Sequence, residues 1–374
     1  MTCGPCEALN PSFRNYADVR TVLWVALYYA GTAALWLRGD ALAALGLRAP
    51  LWATVVYLSF ACACITHNTM HCRVFRKRWA NIVFHVALSM SYGHPVSSYV
   101  PGHNLSHHKN TQLRKDIMRT SKLRWRWHLL NGLLFQPTVA GAVLKSDVRY
   151  ISLQRALGRT FYLNVLREFT WVGASFVALL VLNPGKFFLY WWVPHFFAQW
   201  AIVSVNVIQH DGCQTVPAGE KLGGPGFRNH SRSFTAPLLN FLTFNNGYHA
   251  VHHLNPTTHW SQYPELHAKE IAPFVHPSLN QHSMLQYIWD AFVFPVDPVT
   301  GKWDPTRRVD YEGNPMVFAE ESEPEDAPWI AYPEGVDASE IHLVAVWKRF
   351  LWGSVLMPLK LLNPNWSLTL GVLM

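Results

Sequence analysis

The chain has 374 residues, with 31 Lys and Arg against 23 Asp and Glu for a formal net charge of +8. Half of its residues are hydrophobic and only 14% are charged, where a soluble domain carries about 25%, so a fully solvated globular protein is excluded in favour of one that meets lipid over part of its surface. The positive balance suits a cytoplasmic face turned to anionic headgroups, and because the cations are spread between apolar segments no nucleic-acid partner is expected.

Residues 1–20 form a polar N-terminal segment expected on the cytoplasmic side. Within it Cys3 and Cys6 make Cys-Gly-Pro-Cys, which lacks the preceding strand of a redox motif and is read as an incidental pair. The six cysteines show no spacing of a disulfide framework, which points to a reducing compartment. No cleavable leader is expected, because the first apolar run begins near Val22, after Arg14, Asp18 and Arg20.

Four segments read as membrane spans: Val22 to Leu37, Pro50 to Ile65, about Leu163 to Leu182, and Phe187 to Ile208. A spanning helix needs about 20 largely apolar residues, so the first two must recruit flanking residues. Between the second and third, Trp79 to Tyr92 is apolar but short and reads as an interfacial or re-entrant helix. The spans pair into two hairpins through residues 38–49 and the turn Asn183-Pro184-Gly185-Lys186. The stretch from Arg73 to Arg126 holds eleven Lys and Arg against the single acid Asp116, so positive residues place both termini and the long connections in the cytoplasm. The membrane domain is expected to occupy residues 21–275 and a cytoplasmic extension residues 276–374. In that extension Glu320, Glu321, Glu323, Glu325 and Asp326 read as a solvated loop, and Ile341 to Leu362 as an amphipathic helix lying on the membrane.

Of the 19 histidines, nine fall into a pattern: His67 and His71; His103, His107 and His108; His210; and His249, His252 and His253. Residues four apart on a helix share a face, so His67 and His71 can turn two imidazoles to one metal. Adjacent His107 and His108 point apart and can serve two metals or two positions around one, as can His252 and His253, with His249 one turn earlier. No crossing separates the first and second clusters and two separate the second from His210, so all four groups can meet on one side of the membrane. Nine imidazoles exceed the demand of one ion and imply two, with iron, zinc, copper and nickel all compatible with nitrogen ligands. The fold expected is an all-α integral membrane protein, its four transmembrane helices in two hairpins under a cytoplasmic helical cap that holds a histidine-ligated dimetal site. The other histidines read as structural or exposed, with His85 and His94 as candidate partners behind the ligands. Only His195 lies mid-span, which argues against a transporter or sensor with histidines along a pathway.

This pattern resembles the membrane fatty acid desaturase superfamily over roughly residues 20–270. The three histidine boxes match His67–His71, His103–His108 and His249–His253, and Tyr248-His-Ala-Val-His-His-Leu254 with the trailing Pro256 and Tyr263-Pro-Glu-Leu-His267 is similar to the third box and its sequel. Asn206 and His210 reproduce the spacing of an asparagine and a histidine at the end of the fourth span in stearoyl-CoA desaturases. The resemblance implies two irons held by His67, His71, His103, His107, His108, His210, His249, His252 and His253, with Asn206 holding a water at one of them, and dioxygen as co-substrate. It implies a membrane lipid or acyl substrate and an external electron donor of ferredoxin, rubredoxin or cytochrome b5 type, in the endoplasmic reticulum or a bacterial inner membrane. The second box departs from many acyl desaturases: three residues separate His103 from His107 where those have two. The longer spacing also occurs in relatives that hydroxylate alkyl chains, so desaturation is expected first, and hydroxylation or oxidative decarboxylation to a terminal alkene is the alternative. The basic run from Lys109 to Arg126 reads either as a docking face for an acidic partner or as ordinary positive charge at the membrane edge.

Overall fold

A computed structural model describes residues 12–319, except 225, together with 326 and 330. It is mostly helical. Helix α1 (Asp18–Ala44) and α2 (Arg48–Thr69) pack as an antiparallel pair. The turn between them closes on Gly46, and Pro50 sits in the first turn of α2, where its missing N–H leaves no helical bond unmade. Helix α3 (Arg78–Tyr92) ends at Gly93 with φ 75°, and a Cβ there would meet His195 Nδ1 at 2.7 Å. Glycine is thus required at that position on two counts.

A long helix, α4 (His128–Ala156), follows the basic stretch, and the sequence reading placed no element there. Helix α5 (Tyr162–Leu182) then turns through Asn183, whose side chain accepts from the Lys186 N–H at 2.9 Å, with Pro184 as the first helical residue. This is a capped helix start built from the four residues read as a hairpin turn. A π-helical turn, Phe188–Trp192, leads into α6 (Val193–His210). A short helix, α7 (His249–Leu254), and the two-stranded parallel pair β1 (Ser233–Phe234) and β2 (Asn280–Gln281) lie beyond it.

Among these helices α2 and α5 are long and apolar enough to cross a membrane. Helix α5 leaves Trp171, Val177, Val181 and Leu182 exposed, a contiguous apolar surface of the kind that lipid covers. Helices α1, α2, α3 and α6 share one core, in which Leu58, Ile65, Leu88 and Ala198 are buried. His195 packs beside that core: its Nε2 lies 2.7 Å from the Tyr28 hydroxyl and its ring 4.1 Å from that of Trp191.

The C-terminal segment is not wholly solvated. Arg308 reaches back to Asp211, and Asp326 is paired with Arg119 and, at 2.8 Å, with Lys122, which corrects the reading of Asp326 as part of a solvated loop: the basic stretch captures it. The four glutamates read with it, the Cys3–Cys6 pair and residues 341–362 lie outside the described residues.

Candidate metal centre

Five chain segments deliver the histidines. Helix α2 carries His67 on its last turn and ends at Thr69, so His71 sits in the turn that follows. A π-helical segment, Val100–His107, carries His103 and His107 and passes directly to His108. His210 closes α6, and α7 carries His249, His252 and His253.

These residues meet in two groups of four. His71, His103, His108 and His252 form one, and His107, His210, His249 and His253 form the other, with the ligand atoms in each within 4.8 Å of one another. In the first, His108 Nε2 lies 3.0 Å from His103 Nε2 and 2.8 Å from His252 Nε2. In the second, His210 Nε2 lies 2.8 Å from His249 Nε2 and 3.1 Å from His253 Nε2. The groups abut through the stacked rings of His108 and His253, 4.5 Å apart. Neighbours in sequence separate, His107 from His108 and His252 from His253, because adjacent helical positions face different directions.

His67 belongs to neither group. Its ring packs 4.1 Å from that of His252 and 4.6 Å from that of His103, and its Nδ1 has no hydrogen-bond partner among the described residues. Helix α2 stops at Thr69, so His71 leaves the helical face of His67, and the two rings lie 5.9 Å apart. Asn206 stands beside the second group, but its amide donates to the Met118 carbonyl at 2.8 Å.

The donor set suits metal ions. Six of the eight imidazoles turn Nε2 atoms at one another at 2.8–3.3 Å, and the Nε2 atoms of His71 and His107 are buried without a partner among the described residues. Burial first, and then neighbouring imidazoles, push His103, His108, His249, His252 and His253 well below the ordinary histidine value; His71 falls to about 3. All are therefore neutral at physiological pH, the form that ligates.

Behind the two histidine groups stand further polar partners. His107 Nδ1–H donates to Asp116 at 2.9 Å, fixing the tautomer that leaves Nε2 free for a metal. Burial alone would raise the Asp116 carboxyl, but His107 and the N–H groups of Gln112 and Met118 hold it below the ordinary value. His252 Nδ1 lies 3.3 Å from the Tyr263 hydroxyl, and His210 Nδ1–H donates to the His230 carbonyl at 3.2 Å. His85 instead lies 4.0 Å from Glu168, and His94 3.4 Å from the Ser98 hydroxyl. Next to His210, Asp211 is held by Arg308 at 2.6 Å and by His128 at 3.4 Å, all three buried. Gly212 (φ 70°) admits this strap: a Cβ there would lie 2.6 Å from the Val309 carbonyl.

Compared with known families, residues 41–283 match the model of the family described as fatty acid desaturase. The chain belongs to the fatty acid desaturase family. A search of the curated proteins finds no match. This desaturase-family enzyme therefore joins histidine clusters suited to metal with helices long and apolar enough for a membrane. A cavity of about 230 Å³ with mostly apolar walls adjoins them, reaching His103 of one group and His107 and His249 of the other.

Proposed function

We propose that the enzyme uses two irons and dioxygen to remove two hydrogens from neighbouring methylenes of an acyl chain, leaving an alkene. One iron is assigned to His71, His103, His108 and His252 and the other to His107, His210, His249 and His253, with His67 and Asn206 lining the approach. The observation that carries this reading is the apolar cavity touching both histidine groups, because an unactivated carbon must be held against the metals away from bulk water. When bound, the irons would supply the reduction of dioxygen that makes hydrogen removal possible. The chain's own residues position the methylene, exclude water, and through Asp116 and Tyr263 orient the imidazoles.

The reaction consumes one dioxygen, two electrons and two protons, and yields the alkene and two waters. The electrons come from a separate protein of ferredoxin, rubredoxin or cytochrome b5 type. Four crossings by α1, α2, α5 and the segment ending in α6 would put the histidine groups on the cytoplasmic side of the endoplasmic reticulum or a bacterial inner membrane; the packing of α2 against both α1 and α6 and the capped turn at Asn183 support that arrangement.

The test is expression in a host rich in saturated acyl chains, beside a His252→Ala variant, with lipids and headspace analysed by gas chromatography–mass spectrometry. A new alkene of unchanged chain length, absent from the variant, supports desaturation. A hydroxylated chain, which the spacing of His103 and His107 favours as the second reading, or a terminal alkene one carbon shorter would replace it.

A further inference from the structure

One wall of the cavity is a stripe of α4: Gln136, Val139, Ala140, Val143, Leu144 and Asp147. Their spacing of three and four places them on one helical face, and at 1.5 Å per residue the stripe runs about 16 Å. Its middle is apolar and its end is an acid. Asp147 is 3% exposed and Tyr92, across the cavity from α3, is 1% exposed. Asp147 Oδ1 and the Tyr92 hydroxyl are both buried with no hydrogen-bond partner among the described residues. Two such groups facing one apolar cavity are costly unless something in the cavity pairs with them.

We propose that Asp147 and Tyr92 form a polar subsite that receives an uncharged oxygen function of the substrate, a hydroxyl or an ester carbonyl, and rejects an ionised carboxylate. This rests on the reading of the cavity as the seat of an acyl or alkyl chain. Burial raises the Asp147 carboxyl well above its ordinary value, which favours the neutral acid, and in that form it can donate and accept, as the tyrosine hydroxyl can. A hydroxyl or a carbonyl satisfies both. A carboxylate would bring a charge into a site whose lining, among the described residues, holds no Lys or Arg, with Glu168 also acting on Tyr92. A chain of rings joins the subsite to the histidines: the Tyr92 ring is 6.5 Å from that of Tyr99, which is 6.4 Å from that of His67 and 5.8 Å from that of His103. Holding an oxygen there sets which carbon is presented to the histidine groups.

The experiment is displacement of tritiated 1-hexadecanol from the purified full-length chain in detergent by unlabelled 1-hexadecanol, methyl hexadecanoate, sodium hexadecanoate and hexadecane. The first two are expected to displace the label at concentrations about tenfold below the last two, the worth of one or two buried hydrogen bonds; their relative strength tells hydroxyl from carbonyl. Asp147→Leu and Tyr92→Phe should each erase most of that preference, and Asp147→Asn, which stays neutral and hydrogen-bonding, should keep it. Tyr92→Phe removes one oxygen only, so it reads the subsite even if Asp147→Leu misfolds. Hexadecanoate competing as well as hexadecanol, or a preference unchanged in Tyr92→Phe and Asp147→Leu, overturns the subsite and leaves the cavity reading intact. No chain bound at all overturns both.

Discussion

Asp116 and His107 meet at 2.9 Å with neither side chain more than 1% exposed, and this buried pair fixes the one histidine of its group whose Nε2 hydrogen-bonds no partner among the described residues. Replacing Asp116 by Asn should leave the fold intact but loosen the tautomer of His107. Outer partners of this kind are worth about 10- to 100-fold in metal affinity. The check is the chelator concentration that strips half the iron, expected to fall for Asp116→Asn.

The ion pair of Arg308 and Asp211 ties the C-terminal strap to the residue after His210. Truncation in Arg308→Ala removes the guanidinium bonded to the buried Asp211 carboxylate and leaves it His128 at 3.4 Å and the more distant charge of Arg232, at a cost of about 3–5 kcal/mol. Chemical unfolding should show this loss, and Arg308→Met combined with Asp211→Leu should recover much of it, because the penalty arises from the unpaired charge.

Acid should destabilise the metal-free protein in a definite window. Burial lowers His71 to about 3 and His128 and His230 to about 4, so between those values and about 6.5 the unfolded chain takes up protons that the folded chain refuses. The stabilisation is complete above pH about 6.5 and is lost as pH falls towards the folded values. A thermal midpoint, measured after chelation, that is flat above neutrality and falls steadily below about pH 6.5 is the expected result.

Blocking the cavity should separate chemistry from metal binding. Ala140 lies on the α4 stripe and is exposed, so Ala140→Trp can place an indole against the chain's path without overpacking the core. Product should fall at least tenfold, or shift to shorter chains, while bound iron stays at the wild-type level; loss of iron together with product would point to a folding defect.

The histidine pattern was legible because its residue types are rare elsewhere and its spacings match helical geometry. The division of His107 from His108 and of His252 from His253 followed from direction alone. The place of His67 did not, because nothing in His67-Asn-Thr-Met-His71 marks the helix end at Thr69. Helix α4 was hidden: Pro137 interrupts it, and Lys145, Asp147 and Arg149 break the apolar run, so its cavity-facing stripe shows only once a helix is drawn. Asp116 looked like one acid in a basic stretch, and Arg308 like part of a tail, since pairings over 9 and 97 residues leave no local periodicity. The turn at Asn183 was readable because Asn183 and Pro184 act through local backbone chemistry, whereas the first turn is shorter than residues 38–49, since α1 runs on to Ala44.

The central claim is that the two histidine groups hold two irons side by side. The most direct measurement is metal content per chain by plasma mass spectrometry on protein purified from iron-supplied cells, for wild type, His71→Ala with His252→Ala, and His210→Ala with His249→Ala. The account predicts about two irons per wild-type chain and about one in each double variant, since each pair comes from a single group. Zinc in place of iron, or a single ion that either double variant abolishes, would contradict it.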